Sequence, residues 1–101
     1  MKKSLTWIVC RADCNFVEAE FTEVIGTLDQ VKSHLMQRIK QDRQEKKDDY
    51  TFEYGTTDIS EIEENEDGSL VAQNAYDVDC DCPYVVMFSA KPEILMKQIC
   101  L

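Results

Sequence analysis

The chain is organised around Gly26-Thr27-Leu28-Asp29-Gln30, which begins the one long helix that the sequence predicts, over residues 27–47. The Thr27 hydroxyl can cap the first turn, and the Gln30 side chain can reach back to the Thr27 amide. Asp29 places a negative charge at the positive end of the helix dipole. The local sequence therefore predicts where this helix starts.

Apolar residues at helical spacing form one stripe along the predicted helix: Leu28, Val31, Leu35, Met36 and Ile39. The stripe ends at Ile39, because every residue over 40–47 is polar or charged. We therefore expect the first part of the helix to cover a sheet and the last two turns to project into water. The late cations Arg43, Lys46 and Lys47 suit the negative end of the helix dipole.

The sequence before the helix predicts a hairpin of two strands. Residues 5–10 are an apolar run that is typical of a central strand, and residues 12–15 predict a turn. Residues 16–25 then alternate, with Val17, Ala19 and Phe21 on one face and Glu18, Glu20 and Thr22 on the other, solvated face.

The sequence after the helix predicts further strands, separated by turn signals, at residues 50–54, 59–62, 70–78 and 84–88. The Asp67-Gly68 pair indicates a tight hairpin. The run 84–88 is the strongest strand pattern and predicts a central strand, while Pro92 could open a short C-terminal helix over 93–100.

These elements predict a single α+β domain over residues 1–101. The order is β-β-α-β-β-β, and tight hairpins imply antiparallel pairing. We expect two layers, with a mostly antiparallel sheet of four to six strands packed by one long helix.

Charge is distributed very unevenly along the chain, whose net charge is −9. Residues 1–47 carry nine Lys or Arg and seven Asp or Glu, whereas residues 48–90 carry twelve Asp or Glu and no base. Such a surface attracts Lys- and Arg-rich partners and disfavours direct binding to nucleic acid.

One hypothesis for function follows from this acidic region, namely docking on a basic protein surface. The residues proposed to bind the partner are Glu61, Glu63, Glu64, Asp77, Asp79 and Asp81. Their spacing by two would place same-face carboxylates about 6.6 Å apart on an extended segment. The alternative is a solvated sheet face that keeps the protein soluble.

A second hypothesis is a structural zinc site on two close thiol pairs, Cys10 with Cys14 and Cys80 with Cys82. The alternative is that these residues, with Cys100, are free thiols, several of them buried. The run 77–81 is not an EF-hand loop, because Cys82 and Phe88 occupy the positions that require Gly and Glu.

No catalytic constellation emerges from the sequence. His34, the single histidine, lies on the predicted helix as a surface or boundary residue and has no local partner for nucleophilic catalysis. Glycines are not grouped into a phosphate loop. Tyr50, Phe52 and Tyr54 favour packing over an exposed stacking platform. We therefore expect a non-enzymatic protein with no cofactor.

The N-terminus begins like an export signal, with Lys2 and Lys3 before the apolar run 5–10. That run is shorter than a signal core and lacks a cleavage site, so it predicts a strand and a cytoplasmic protein. Nor does any run reach the ~20 apolar residues of a membrane span.

The chain resembles small uncharacterised proteins carried by mobile elements and phages of gut Firmicutes. The resemblance involves residues 16–21, the helix start at 26–32 and the acidic hairpin that leads to Tyr84. It implies an acidic inhibitor or mimic that acts on a nucleic-acid-binding protein, in an anti-restriction or anti-CRISPR type of role. It assigns no functional residue.

Overall fold

The computed structural model describes residues 4–13, 19–77 and 84–93. In chain order the elements are β1 (Leu5–Asp13), β2 (Ala19–Gly26), α1 (Leu28–Lys46), β3 (Thr51–Gly55), a 3-10 turn (Ile59–Glu61), β4 (Glu63–Glu64), β5 (Leu70–Asp77) and β6 (Tyr84–Pro92).

The strands form one sheet in the order β2-β1-β6-β5-β3, and β4 pairs with β5 beside β3. All of the described pairs are antiparallel. This arrangement confirms the predicted α+β fold, with one long helix on an antiparallel sheet of six strands. As predicted, β6 is central, with β1 on one side and β5 on the other.

The helix begins where the sequence predicts. Thr27 Oγ1 accepts a hydrogen bond from the Gln30 amide at 3.3 Å, and Gln30 Oε1 accepts one from the Thr27 amide at 2.8 Å. These reciprocal bonds satisfy two amides that a helix otherwise leaves unpaired.

The predicted stripe forms the helix side of the core. Val31, Leu35, Met36 and Ile39 are buried, and Leu28 is partly buried against the same cluster. On the sheet, alternate residues point towards the helix, among them Trp7, Val9, Val86, Phe88, Leu70, Ala72 and Tyr76. The Trp7 indole donates to the Gly26 carbonyl at 3.1 Å and so fixes the entry to the helix.

The end of the helix differs from the prediction that residues 40–47 project into water. Asp42 is only 4% exposed. Arg43 is partly buried and bonds to β5 through Asn74. The apolar stripe does end at Ile39, but polar side chains continue the contact with the sheet beyond it.

The faces of β2 also differ from the prediction. Trp7 points into the core and pairs with Val24, so Val24, Thr22 and Glu20 lie on the helix side of the sheet. Phe21 therefore lies on the opposite face, where it is 68% exposed. Alternation in the sequence separates the two faces, but the pairing with β1 decides which face meets the helix.

Three smaller differences concern element boundaries. β1 extends beyond the predicted end at Cys10, because β6 pairs with it as far as Asp13. The uncertain strand at 59–62 is a 3-10 turn, followed by the two-residue strand β4. The predicted hairpin closes β4 onto β5, with Gly68 at φ 88°. The connection between the predicted strands 70–78 and 84–88 lies outside the described residues, as does the C-terminal helix predicted over 93–100 except for Glu93.

Candidate functional site

The predicted acidic site divides into separate parts. Glu61 ends the 3-10 turn, and Glu63 and Glu64 form β4, which pairs with the start of β5. Asp77 is the last residue of β5 and pairs with Thr51. Six residues of extended strand separate the two ends, or about 20 Å. The structure thus brings Glu61, Glu63 and Glu64 together and leaves Asp77 apart.

Asp79 and Asp81 lie outside the described residues. Exposed acids also occur on the elements beyond β5, namely β3, the 3-10 turn, β4 and the hairpin tip. We refer to them as the acidic edge: Glu53, Asp58, Glu61, Glu63, Glu64, Glu66 and Asp67. The sequence reasoning included only three of these seven residues. The others were identifiable from the absence of Lys and Arg over residues 48–90.

Hydrogen bonds fix the middle of the acidic edge. The Glu61 carboxylate accepts bonds from the Thr57 amide at 2.8 Å, the Thr57 hydroxyl at 2.6 Å and the Asp58 amide at 2.9 Å. The Asp58 carboxylate accepts from the Ser60 amide at 3.1 Å and the Ser60 hydroxyl at 2.5 Å. This is a capping box on a 3-10 turn, so the acids hold their own backbone in place.

The same bonds keep these carboxylates ionised. The Thr57 hydroxyl and amide lower the pKa of Glu61, and the Ser60 hydroxyl and amide lower the pKa of Asp58. At the hairpin tip, bonds from the Ser69 hydroxyl and amide lower the pKa of Asp67. Hydrogen bonds to a carboxylate favour its charged form. Asp58, Glu61 and Asp67 therefore stay negative throughout the physiological pH range.

The helix cations are largely engaged within the molecule. Lys32 Nζ binds the Glu64 carboxylate at 2.8 Å, and Arg38 lies 3.8 Å from the Glu20 carboxylate. Lys46 binds Asp42. Apart from the Lys32 contact, these ion pairs involve acids that are not on the acidic edge. Lys40 and Lys91 also lie near enough to Asp58 and Asp67 to lower their pKa values.

A buried polar network around Asp42 joins the helix to the sheet. The Asp42 carboxylate accepts bonds from the Tyr76 hydroxyl at 2.6 Å and the Asn74 amide at 3.3 Å, as well as from Lys46. Arg11 lies 3.7 Å from the same carboxylate. Sequence reasoning missed this network, although Asn74 interrupts the alternating apolar positions Leu70, Ala72 and Tyr76 of the predicted strand.

Arg43 forms the second half of the network. Its guanidinium donates to Asn74 Oδ1 at 2.5 and 3.1 Å and to the Thr56 carbonyl at 2.6 Å. It also lies over the Phe52 ring, 4.2 Å from the centroid. Asn74, which is fully buried, therefore bridges Asp42 to Arg43.

A polar cleft of about 530 Å³ opens beside this network, lined by Arg11, Glu20, Arg38, Asp42 and Phe88 among others. Burial alone would raise the pKa of Asp42, but bonds from Lys46, Tyr76 and Asn74 outweigh it and lower the pKa. The carboxylate is thus ionised at neutral pH, with its oxygens already bonded. Burial and the Asp42 contact raise the pKa of Tyr76. Neither group is suited to proton transfer near pH 7.

His34 lies at a boundary, as predicted: its side chain is partly buried, and its Nε2 atom is buried without a hydrogen-bond partner. Burial and the nearby Arg38 charge lower the pKa of this imidazole. It is therefore neutral at pH 7, and no carboxylate is shown to orient it.

The described residues include only one of the four cysteines of the proposed zinc site. Cys10 is a free thiol on the sheet face away from the helix, and Cys14, Cys80 and Cys82 lie outside the described ranges. Within those ranges, no group of three or more His, Cys, Asp or Glu is arranged to hold a metal ion.

The three aromatic residues near β3 have different surroundings. Phe52 packs against the core, and Tyr50 stacks on Tyr84 with ring centroids 5.7 Å apart. Tyr54 is about half exposed, on the sheet face away from the helix. The packing prediction thus describes Phe52 well and Tyr54 poorly.

Comparison of the chain with protein-family models, curated proteins and solved structures gives no match. Among the described residues, no helix combines the length and apolar character that crossing a bilayer requires.

Proposed function

We propose that this protein is a non-enzymatic binding module whose acidic edge docks on a basic surface of another protein. The observation that carries the proposal is the edge itself. Seven carboxylates lie over residues 53–67, a segment that contains no Lys or Arg. Three of them are held ionised by their own turns.

The fixed conformation of the acidic edge supports this role, in addition to its charge. A flexible acidic segment loses conformational freedom when it binds, whereas the 3-10 turn and the hairpin tip are already fixed by hydrogen bonds. Such an arrangement accelerates association with a cationic partner and makes binding sensitive to salt.

A nucleic-acid-binding protein is the partner class that we favour. Such proteins present clusters of Lys and Arg that phosphates normally occupy, and a rigid row of carboxylates can compete for them. The resemblance to mobile-element and phage proteins favours the same partner class. The protein would then act as an inhibitor or mimic, and nucleic acid would compete with it.

A charge-neutralised variant of the acidic edge tests the proposal. The triple variant Glu53→Gln, Glu63→Gln, Glu66→Gln removes three exposed carboxylates and spares the capping residues Asp58, Glu61 and Asp67. The matched control Glu45→Gln, Asp48→Asn, Asp49→Asn makes the same change of charge near the end of the helix. Both variants should unfold at close to the wild-type urea midpoint, since exposed substitutions rarely alter stability by more than ~0.5 kcal/mol.

The measurement is capture of proteins from a lysate, identified by mass spectrometry, with and without added DNA. We expect wild type and control to retain a basic protein that the edge variant loses and that DNA displaces. Retention by the edge variant at wild-type level would contradict docking through the edge. If both variants fail to capture the basic protein, capture depends on the total charge of the chain and not on the acidic edge.

A further inference from the structure

The sheet face away from the helix has exposed apolar side chains on β2 and β6, and no described element covers them. On β2, Phe21 and Ile25 are 68% and 72% exposed. On the central strand β6, Met87 is 43% exposed. Partly buried Ile8, Cys10 and Ala12 on β1 connect these positions. Apolar patches of this kind on a sheet mark interaction surfaces.

The strand register arranges this face in rows centred on β1. Cys10 lies between Phe21 of β2 and Ser89 of β6. Ala12 lies between Ala19 and Met87 in the next row along the strand.

In the third row Ile8 lies between Glu23 and Lys91. Neighbouring strands are about 4.8 Å apart, so Glu23 and Lys91 flank Ile8 at a separation of about 10 Å.

We propose that two copies of the chain pack through this face as a dimer whose two-fold axis runs along β1. Rotation about such an axis places β2 of one copy over β6 of the other, while β1 lies over β1. The two inner faces would be about 10 Å apart, as in aligned sheet packing. The second copy is the occupant because the rows of Cys10, Ala12 and Ile8 complement themselves under this rotation.

The complementarity holds in all three rows. Phe21 would pack over the small Ser89 of the other copy, and Met87 over the small Ala19. Large side chains thereby meet small ones, as close packing requires. In the third row Glu23 meets Lys91, so the two formal charges of this region pair rather than repel.

The acidic edge lies beside this contact, because it belongs to β3, β4 and their connections; Glu61 and Glu63 line a cleft with Met87, and Lys91 lies near Asp67. Strands β3 and β4 lie on the far side of β5 from β1. In the dimer the two acidic edges would lie at opposite ends of the assembly. The dimer does not depend on the proposed function, although it would make an acidic binding module bivalent.

Charge reversal tests the arrangement by analytical ultracentrifugation. The variant Lys91→Glu should raise the dimer dissociation constant at least about tenfold, because it opposes two acids at each of two symmetric contacts. Lys91 also contributes to the low pKa of Asp67, so Lys91→Glu alone changes more than the proposed contact. The double variant Glu23→Lys, Lys91→Glu is more informative, because it restores only the pairing of opposite charges between the two copies. It should restore dimerisation to within about threefold of wild type. Lys40→Glu, on the exposed helix surface, should leave dimerisation unchanged.

A second measurement uses Cys10, which lies on the proposed axis. A short bismaleimide added to the wild-type chain should yield a Cys10–Cys10 linked peptide in mass spectrometry, and such a link can form only between two copies. A wild-type chain that stays monomeric at its highest soluble concentration and gives no such peptide would overturn the proposal. If the wild-type chain dimerises but the double variant does not, the proposed pairing of Glu23 with Lys91 between the two copies is wrong.

Discussion

At the residue scale, the Asp42 carboxylate concentrates the polar contacts between helix and sheet. Its partners include Lys46 on the same helix, Arg11 on β1 and Asn74 and Tyr76 on β5. A buried carboxylate costs several kcal/mol in lost hydration unless its bonds are complete. Here the hydrogen bonds of the carboxylate are nearly complete. Removal of its charge should therefore lower the free energy of unfolding by more than the net contribution of any single contact.

Asp42→Asn should lower the free energy of unfolding at pH 7 by about 3 kcal/mol, because Lys46 and Arg11 lose a buried partner. The lowered pKa fixes the pH dependence. The stabilisation is present above the ordinary aspartate pKa and is lost as the pH falls through the lower folded-state value. The difference between wild type and variant in urea unfolding should therefore shrink below about pH 4. Equal stabilities at pH 7, with exposed Asp48→Asn as control, would contradict the network.

At the element scale, the helix start was predictable from the sequence, whereas side-chain contacts between distant parts of the chain were not. Thr27 and Gln30 are three residues apart, so the helix start follows from neighbours alone. Asp42 and Tyr76 are 34 residues apart, so only the folded chain reveals their bond. Phe21 is similar, since its exposure depends on pairing with β1. A polar Asn74 among apolar positions of the predicted strand indicates a buried polar contact, but the periodicity of the sequence does not reveal its partners.

The junction after β3 gives an element-scale prediction. A Cβ on Gly55 would lie 2.4 Å from the Gln73 carbonyl oxygen and 3.0 Å from the Asn74 Cα atom. Both are backbone atoms of β5, so Gly55→Ala should cost about 2 kcal/mol or more by forcing β3 away from β5. Gly68→Ala has open space around it and should cost only about 1 kcal/mol, from its positive φ. Urea unfolding of both variants measures the two losses of stability. A larger loss for Gly68→Ala than for Gly55→Ala would contradict the prediction.

At the scale of the whole molecule, acids and exposed apolar side chains concentrate on different elements. Seven exposed acids lie on the elements beyond β5, while the sheet face away from the helix carries exposed apolar side chains on β2 and β6. The sequence predicted an acidic region but not its division. Asp77 belongs to the same Lys- and Arg-free stretch as Glu63 and Glu64, but it lies about 20 Å from them along β5. Helical cations were expected to stay in water, yet Lys46 and Arg43 are used internally.

The most direct test of this charge distribution is an amide NMR titration of the labelled protein with an oligolysine peptide at low salt. The account predicts that the largest shift changes fall within residues 53–67 and disappear as salt screens the contact. The edge variant Glu53→Gln, Glu63→Gln, Glu66→Gln should lose most of them. Changes of similar size at Asp48 and Asp49 would contradict a distinct acidic edge and leave only a diffuse negative charge.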